Sequence, residues 1–306
     1  AGGPAVDVAP DWNCSAGTQP DGIDQRGLPR NINGKGADIN EECDAGASEV
    51  QSGPPPPPSA SLYVSPAKTG VAGTLSVTPF DILYRNGATN TWVMHFNGGD
   101  VGISKAISAF ARLPGGDLLL VFKANQPTPA GTFTPWDVAR FTPTSLGSTT
   151  AGTFSWYIDG SDVGLTTSGE KIDALDVLAD GRVLVSTTGS ASVGKQGGGT
   201  LKAQDEDVIM LQHTALGETT AGLWSLHFDG TAVPGLKGED VAGFHADEAT
   251  GDLYLGITGG FNVGGVGGNG KDVIKLTPSG GGYTVTMYWR GPDNGFNLNI
   301  GGLELE

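Results

Sequence analysis

The residues of this chain best equipped for chemistry are its carboxylates, 33 Asp and Glu against 17 Lys and Arg in 306 residues. One set recurs. Asp81, Asp137, Asp207 and Asp272 each stand directly before a Val or Ile that opens an apolar run. A carboxylate there can accept N–H bonds from the preceding loop and lock it, or join neighbouring oxygens around Ca²⁺. Because it recurs between loops that otherwise differ, the lock is the favoured reading. A second set does not repeat. Asp159, Asp162, Glu170, Asp173, Asp205 and Asp207 fall in one stretch, and Glu239 and Asp240 follow in the next, where Ala232 replaces the counterpart of Asp162. Crowded carboxylates repel one another, and a hard divalent cation relieves this. Asp162, Glu170, Asp173, Asp205 and Asp207 are therefore the candidate ligands for Ca²⁺, the only cofactor the sequence suggests. No twelve-residue calcium loop is present, and a plain solvated acidic rim is the favoured alternative. Paired carboxylates such as Asp162 and Asp173 would also suit the acid and base of a glycan-cleaving enzyme.

Other catalytic patterns are missing. There is no H-x-x-H or H-E-x-x-H pair, no G-x-S-x-G elbow, and no Gly-x-Gly string that follows a strand and opens a helix. The expectation is that the chain is not an enzyme.

The elements that must position these acids come in four copies. The clearest runs from Ile172 to Gly230; others start at Ile107 and Val241, and the fourth is split between Ser61–Gly98 and the C-terminal Asn299–Glu306. Each copy predicts four short strands, in the clearest copy Ile172–Leu178, Arg182–Ser186, Asp207–Leu211 and Leu223–Phe228. That is the unit of a β-propeller blade. The fold expected is all-β: a four-bladed β-propeller closed by its C-terminal strand. On the first strand, large Phe110, Leu175, Phe244 and Leu303 follow small Ala109, Ala174, Gly243 and Gly302, as a crowded axis would require. Insertion of the last strand into a neighbouring molecule, giving a filament, is the rival reading. Long connections between second and third strands (Ser65–Pro79, Lys123–Trp136, Thr188–Glu206, Thr258–Lys271) are predicted as loops, where binding commonly resides. His95 and His227 share a position on the outer strand with Tyr157 and Tyr288 and are expected to face solvent. Trp92, Trp156, Trp224 and Trp289 are expected to pack between blades, and Trp12 and Trp136 are candidates for stacking on a sugar.

Composition bounds the rest. Gly accounts for 51 residues, in keeping with many turns. A formal charge of −16 argues against nucleic acid and anionic membranes, and no apolar run approaches the ~20 residues needed to span a bilayer. The two cysteines, Cys14 and Cys43, lie outside the repeats, and a disulfide between them is favoured over two free thiols. The compartment expected is extracellular or cell-surface. Three regions follow: a polar segment 1–50, a linker 51–60 with the proline run 54–58, and the repeats 61–306. No signal-peptide pattern begins at Ala1, so a mature chain or a piece of a longer one is expected.

Residues 2–49 contain a G-x-P-A-h-D start at Gly3, Cys14, a D-Q-R-G-h-x-R core at Asp24–Arg30 and a C-D-h-G-A-h-E-like end at Cys43–Glu49. This order resembles the closing segment of right-handed parallel β-helix domains of large bacterial surface proteins. Ala45 and Ser48 stand where larger residues are usual in that family. The resemblance implies a small β-helix-cap-like segment, here with its cysteine staple, and a β-helix stalk upstream. The repeats, best in Ile158–Leu165 with Asp173–Leu175, resemble F-D-G-S-D-V-G-L repeats of secreted bacterial proteins, which bring no activity with them. Such stalks belong to adhesins and surface fibres, and sometimes to polysaccharide-cleaving enzymes. The function expected is a non-enzymatic binding or structural module, adhesin-like or matrix-forming. Its partners would be a glycan, a surface protein or copies of itself. A filament subunit and a polysaccharide-active enzyme are the alternatives.

Overall fold

The computed structural model describes residues 61–306. Cys14, Cys43, Trp12, the β-helix-like segment and the proline run lie outside the described residues. The chain divides between Pro58 and Ser59, and the unit described is a ring of four antiparallel four-stranded sheets. From the axis outward, the second blade comprises Ile107–Arg112, Leu118–Phe122, Val138–Ser145 and Ala151–Ile158. The third comprises Ile172–Val177, Val183–Thr187, Val208–Ala215 and Ala221–Phe228. The fourth comprises Val241–Ala246, Leu253–Ile257, Asp272–Ser279 and Gly282–Arg290. The first is assembled from both ends of the unit: C-terminal Ile300–Leu305, then Leu62–Pro66, Ile82–Asn86 and Thr91–Phe96. The chain is therefore a four-bladed β-propeller.

Burial explains the sequence of each strand. Second strands are covered on both faces and read as unbroken apolar runs, Leu118–Phe122 being buried throughout. Outer strands alternate because one face meets water; Ala151–Ile158 alternates exposed and partly covered until its buried end. The turn Ala179-Asp180-Gly181 is tight, with the Gly181 N–H donating to Leu178 O at 2.8 Å, and Gly181 takes the left-handed φ of 88° it needs.

The small–large alternation on the inner strand proves to be a contact between blades. A Cβ added to Gly243 would lie 2.9 Å from Leu303 Cβ of the next blade, and one added to Gly302 would lie 2.9 Å from Phe110 Cδ1. At these two seams the small residue of one blade receives the large residue of the next. Ring closure occurs within the chain, since Leu62 pairs with Leu305 and Val64 with Leu303. Leu303, Leu62, Val64, Leu83, Trp289 and Phe296 then share one apolar core.

The predicted long loops hold structure of their own. Each carries a two-stranded hairpin: Gly70–Ala72 with Leu75–Val77, Gln126–Thr128 with Gly131–Phe133, Ala191–Gly194 with Thr200–Ala203, and Gly260–Val263 with Val266–Asn269. The histidine position also differs from expectation. Tyr157 is buried and His95 half-buried, its ring 4.8 Å from Tyr63, while His227 alone is exposed. Trp92 and Trp224 share one outer-strand position, whereas Trp156 and Trp289 occupy others. The indole N–H groups of Trp92 and Trp224 donate to Asn294 O and Val163 O in the connection entering their own blade, whereas that of Trp156 donates to Ala130 O of its own blade's hairpin.

Candidate functional site at the axial mouth

The recurrent aspartates build the scaffold of the site. All four are buried. Asp81 accepts the Thr78 N–H at 2.7 Å on one oxygen and the Gly98 N–H at 3.2 Å on the other. Asp137 does the same with Thr134 at 2.7 Å and Gly160 at 3.1 Å, Asp207 with Gln204 at 2.8 Å and Gly230 at 2.9 Å, and Asp272 with Asn269 at 3.0 Å and Gly291 at 3.3 Å. Burial pushes the Asp137 carboxyl up, opposed by its bonds from Thr134 and Gly160. Each aspartate ties the turn before the third strand to the end of the outer strand. The four glycines admit no side chain: a Cβ at Gly98, Gly160, Gly230 or Gly291 would strike the carbonyl oxygen of Phe80, Trp136, Glu206 or Lys271.

The locked turn in turn holds the next blade. Two residues before each aspartate, a carbonyl accepts the first N–H of the neighbouring inner strand: Pro79 O from Ile107 at 2.8 Å, Pro135 O from Ile172 at 3.0 Å, Asp205 O from Val241 at 3.1 Å and Gly270 O from Ile300 at 2.8 Å. The residue after that anchor sits opposite a register shift in every blade: Ser108, Asp173, Ala242 and Gly301. Such a bulge re-aims a side chain, and all four residues line a funnel of about 220 Å³ at the axis, on the face where the hairpins emerge.

Asp173 dominates this mouth. It is 5% exposed and lies against the Asp240 carboxyl, yet beyond that contact neither of its carboxyl oxygens has a hydrogen-bond partner, and Asp240 Oδ1 is likewise buried and otherwise unpartnered. Burial, reinforced by the adjacent Asp240 carboxyl, holds Asp173 protonated well above the usual carboxylate range, while Lys123 works in the opposite direction. Lys123 and Lys171 stand on the wall with Thr188 and Thr258. The Ser108 hydroxyl is already committed, donating to Ile172 O at 2.9 Å. Apolar Pro135, Ile172 and Ala242 complete the lining.

The five predicted metal ligands do not converge. Asp162 is exposed and accepts the Thr220 N–H at 2.9 Å across a blade seam. Glu170 is surrounded by donors; burial raises its carboxyl, but the N–H groups of Thr166, Thr167 and Ser192 outweigh that and hold it low. Asp205 hydrogen-bonds with Glu206, and burial together with that neighbour pushes Glu206 up. Asp207 is one of the turn locks, and Asp173 faces Asp240 instead. Among the described residues no three His, Cys, Asp or Glu side chains are grouped to hold a metal ion. The acid–base pair envisaged from sequence, Asp162 with Asp173, is likewise not formed. Trp136 donates its indole N–H to Thr167 O at 2.7 Å and lines, with Trp156, a shallow cleft of about 290 Å³.

The other end of the axis carries a second polar set. Asp176 accepts the Ala246 N–H at 2.7 Å and lies 3.5 Å from His245 Nδ1. Burial, opposed by Arg112, pushes Glu304 up to about 8. The Arg112 guanidinium itself stacks 3.9 Å from the centre of the Tyr63 ring. Sequence reasoning had named Asp240 without its partner and had passed over Lys123, Lys171, Asp176 and Glu304. Asp240, Lys171, Asp176 and Glu304 lie on or directly before an inner strand, whereas Lys123 follows a second strand, and their nearness shows only once the four copies are aligned into a ring.

No family model matches the chain, and no curated protein matches it. Solved structures that it is similar to include YCF48 bound to D1 peptide (12% identity, 79% of this chain and 58% of that one, TM-score 0.29). Others are virginiamycin B lyase from Staphylococcus aureus (10%, 76% and 74%, TM-score 0.26) and the extracellular domain of the putative hybrid two component system BT4673 from B. thetaiotaomicron (12%, 79% and 35%, TM-score 0.32). The chain spans about three fifths of the first of these. The superpositions are loose, and the propeller assignment rests on the sheet order given above. No helix among the described residues is long and apolar enough to cross a membrane.

Proposed function

We propose that this chain is a non-enzymatic binding module of a secreted or cell-surface protein, with its ligand seated in the axial mouth. The observation that carries this reading is Asp173: a buried carboxyl whose neighbour is a second carboxyl leaves polar oxygens unsatisfied, at ~1–3 kcal/mol each, and here it opens onto a funnel. Folding alone gives no reason to retain it, whereas a ligand that supplies the missing hydrogen bonds does. Rigid strand ends and locked turns hold the site, as a preorganised pocket requires. The outward location rests on the acidic charge, the proline run and the cysteine pair outside the repeats. The partner class is a glycan or a surface protein, and the Trp136–Trp156 cleft gives a glycan a flat face beside the mouth. The deciding experiment is an array of glycans and peptides probed with the chain and with Asp173→Asn. Specific binding that the substitution removes, with no turnover of any bound polysaccharide, supports the reading; Asp173-dependent turnover would establish an enzyme instead.

A further inference from the structure

The floor of the mouth is unusual in what it lacks. Apart from the proton that Asp173 retains against the Asp240 carboxyl, three buried oxygens, both of Asp173 and Oδ1 of Asp240, receive no hydrogen bond. Lys123 acts on Asp173 through its charge, and Pro135, Ile172 and Ala242 add apolar lining. The hydroxyl that might have helped, Ser108, points its hydrogen elsewhere. A group that satisfies such a floor must bring several donors and no acceptor. A carboxylate brings none, and a hydroxyl one. A primary ammonium brings three N–H donors, positive charge and no acceptor. A hard metal cation would instead call for six or more oxygens, and no grouping of that kind exists among the described residues.

On the reading that the mouth is a ligand site, we infer that it captures a primary ammonium group, with Asp173 and Asp240 as its receptors and Lys123 and Lys171 meeting an anionic group at the other end of the same small molecule. A funnel of about 220 Å³ admits a unit the size of an amino acid or a short amine, free or as the end group of a glycan or protein. Capture has a defined proton balance. In the empty site Asp173 holds a proton; the incoming ammonium keeps all of its own and replaces that proton, which leaves to solvent. No bond other than hydrogen bonds is made or broken.

Calorimetric titration of the full chain with n-butylamine, 4-aminobutyrate and butyrate tests this. Both amines should bind one to one, with heats that differ between buffers of unlike ionisation enthalpy in the sense of about one proton released. Affinity should rise close to tenfold per pH unit until Asp173 is ionised in the empty site. Of the two amines, 4-aminobutyrate should bind more tightly, and Lys123→Gln should erase that difference. Butyrate should not bind. Asp173→Asn should lower amine affinity at least tenfold, and Asp240→Asn provides the same comparison if the first variant does not fold. Amine binding without proton release, binding untouched by either variant, or Ca²⁺ binding in place of amines would overturn the assignment. If amines fail while another ligand binds through Asp173, the ammonium assignment falls and the binding-module reading stands. If no ligand depends on Asp173, both fall.

Discussion

Glu304→Gln should make the ring more stable in alkali and leave it unchanged in acid. Glu304 lies on the strand that closes the propeller, with one carboxyl oxygen buried and unpartnered. Burial raises its pKa from 4.5 to about 8. The folded carboxyl therefore keeps its proton where the unfolded one has lost it, and unfolding releases a proton across that window. Stability must fall as pH rises from 4.5 towards 8, with no penalty below the window and the full penalty above it. At 1.36 kcal/mol per unit the upper bound is about 5 kcal/mol, and some access of water at this position brings the expectation to ~3–5 kcal/mol. Glutamine keeps a carbonyl for the Arg112 N–H and carries no charge at any pH. Urea midpoints at about pH 5 and pH 9 should thus coincide for both proteins in acid and separate by that amount in alkali. Asp173 and Asp176 titrate in both proteins, so their contributions largely cancel in the difference. An equal loss of stability with pH in the variant would refute the reasoning.

Five other perturbations follow from the same geometry. Burial holds the His95 imidazole down at about 4, so stability should be lost as pH falls from 6.5 through that value, and His95→Gln should flatten this acid limb by ~2–3 kcal/mol in urea titrations. Asp137→Ala strands the Thr134 and Gly160 N–H groups and should cost ~2–4 kcal/mol by chemical denaturation. Gly160→Ala drives a methyl into the Trp136 carbonyl oxygen and should destabilise by ~3 kcal/mol or more. Gly181→Ala, with open space but a φ of 88°, should cost only about 1–2 kcal/mol by the same assay. Leu303→Ala should cost ~2–5 kcal/mol and speed hydrogen exchange in Leu62–Pro66, which it closes.

Much of the fold could be read in advance because the repeat encodes pairing. Phe110, Leu175, Phe244 and Leu303 mark one ladder position four times, and the C-terminal copy has no partner unless the ring closes. The hairpins escaped notice because strands of three or four residues, such as Gln126–Thr128 and Gly131–Phe133, are too short to show alternation. The outer-strand His and Tyr position was misread because its strand ends run into the seam between blades, where Tyr157 is 9% exposed. The site was half visible. Asp173 was a candidate from its type, but grouping acids by nearness in sequence joined it to Asp162, Glu170, Asp205 and Asp207. Folding instead sets it against Asp240, in the next blade, through a bulge that no residue type announces.

The places where the repeat is kept and where it is broken divide the molecule by role. Asp81, Asp137, Asp207 and Asp272, with Gly98, Gly160, Gly230 and Gly291, are kept because each blade must be locked and hung on the next in the same way. The axis cannot be kept in this sense. Four identical side chains at the bulge would meet one another, and four carboxylates there would repel across a medium that screens them weakly. The chain places Ser108, Asp173, Ala242 and Gly301 there, one acid among three small residues, and draws the second acid, Asp240, from two residues before the bulge of its blade, just outside the strand. The outcome is one pair of adjacent carboxyls, with burial and its neighbour pushing Asp173 up, beside two lysines on an axis whose scaffold is nearly fourfold. Loss of symmetry at the residues that face the funnel fits the single asymmetric ligand proposed for it.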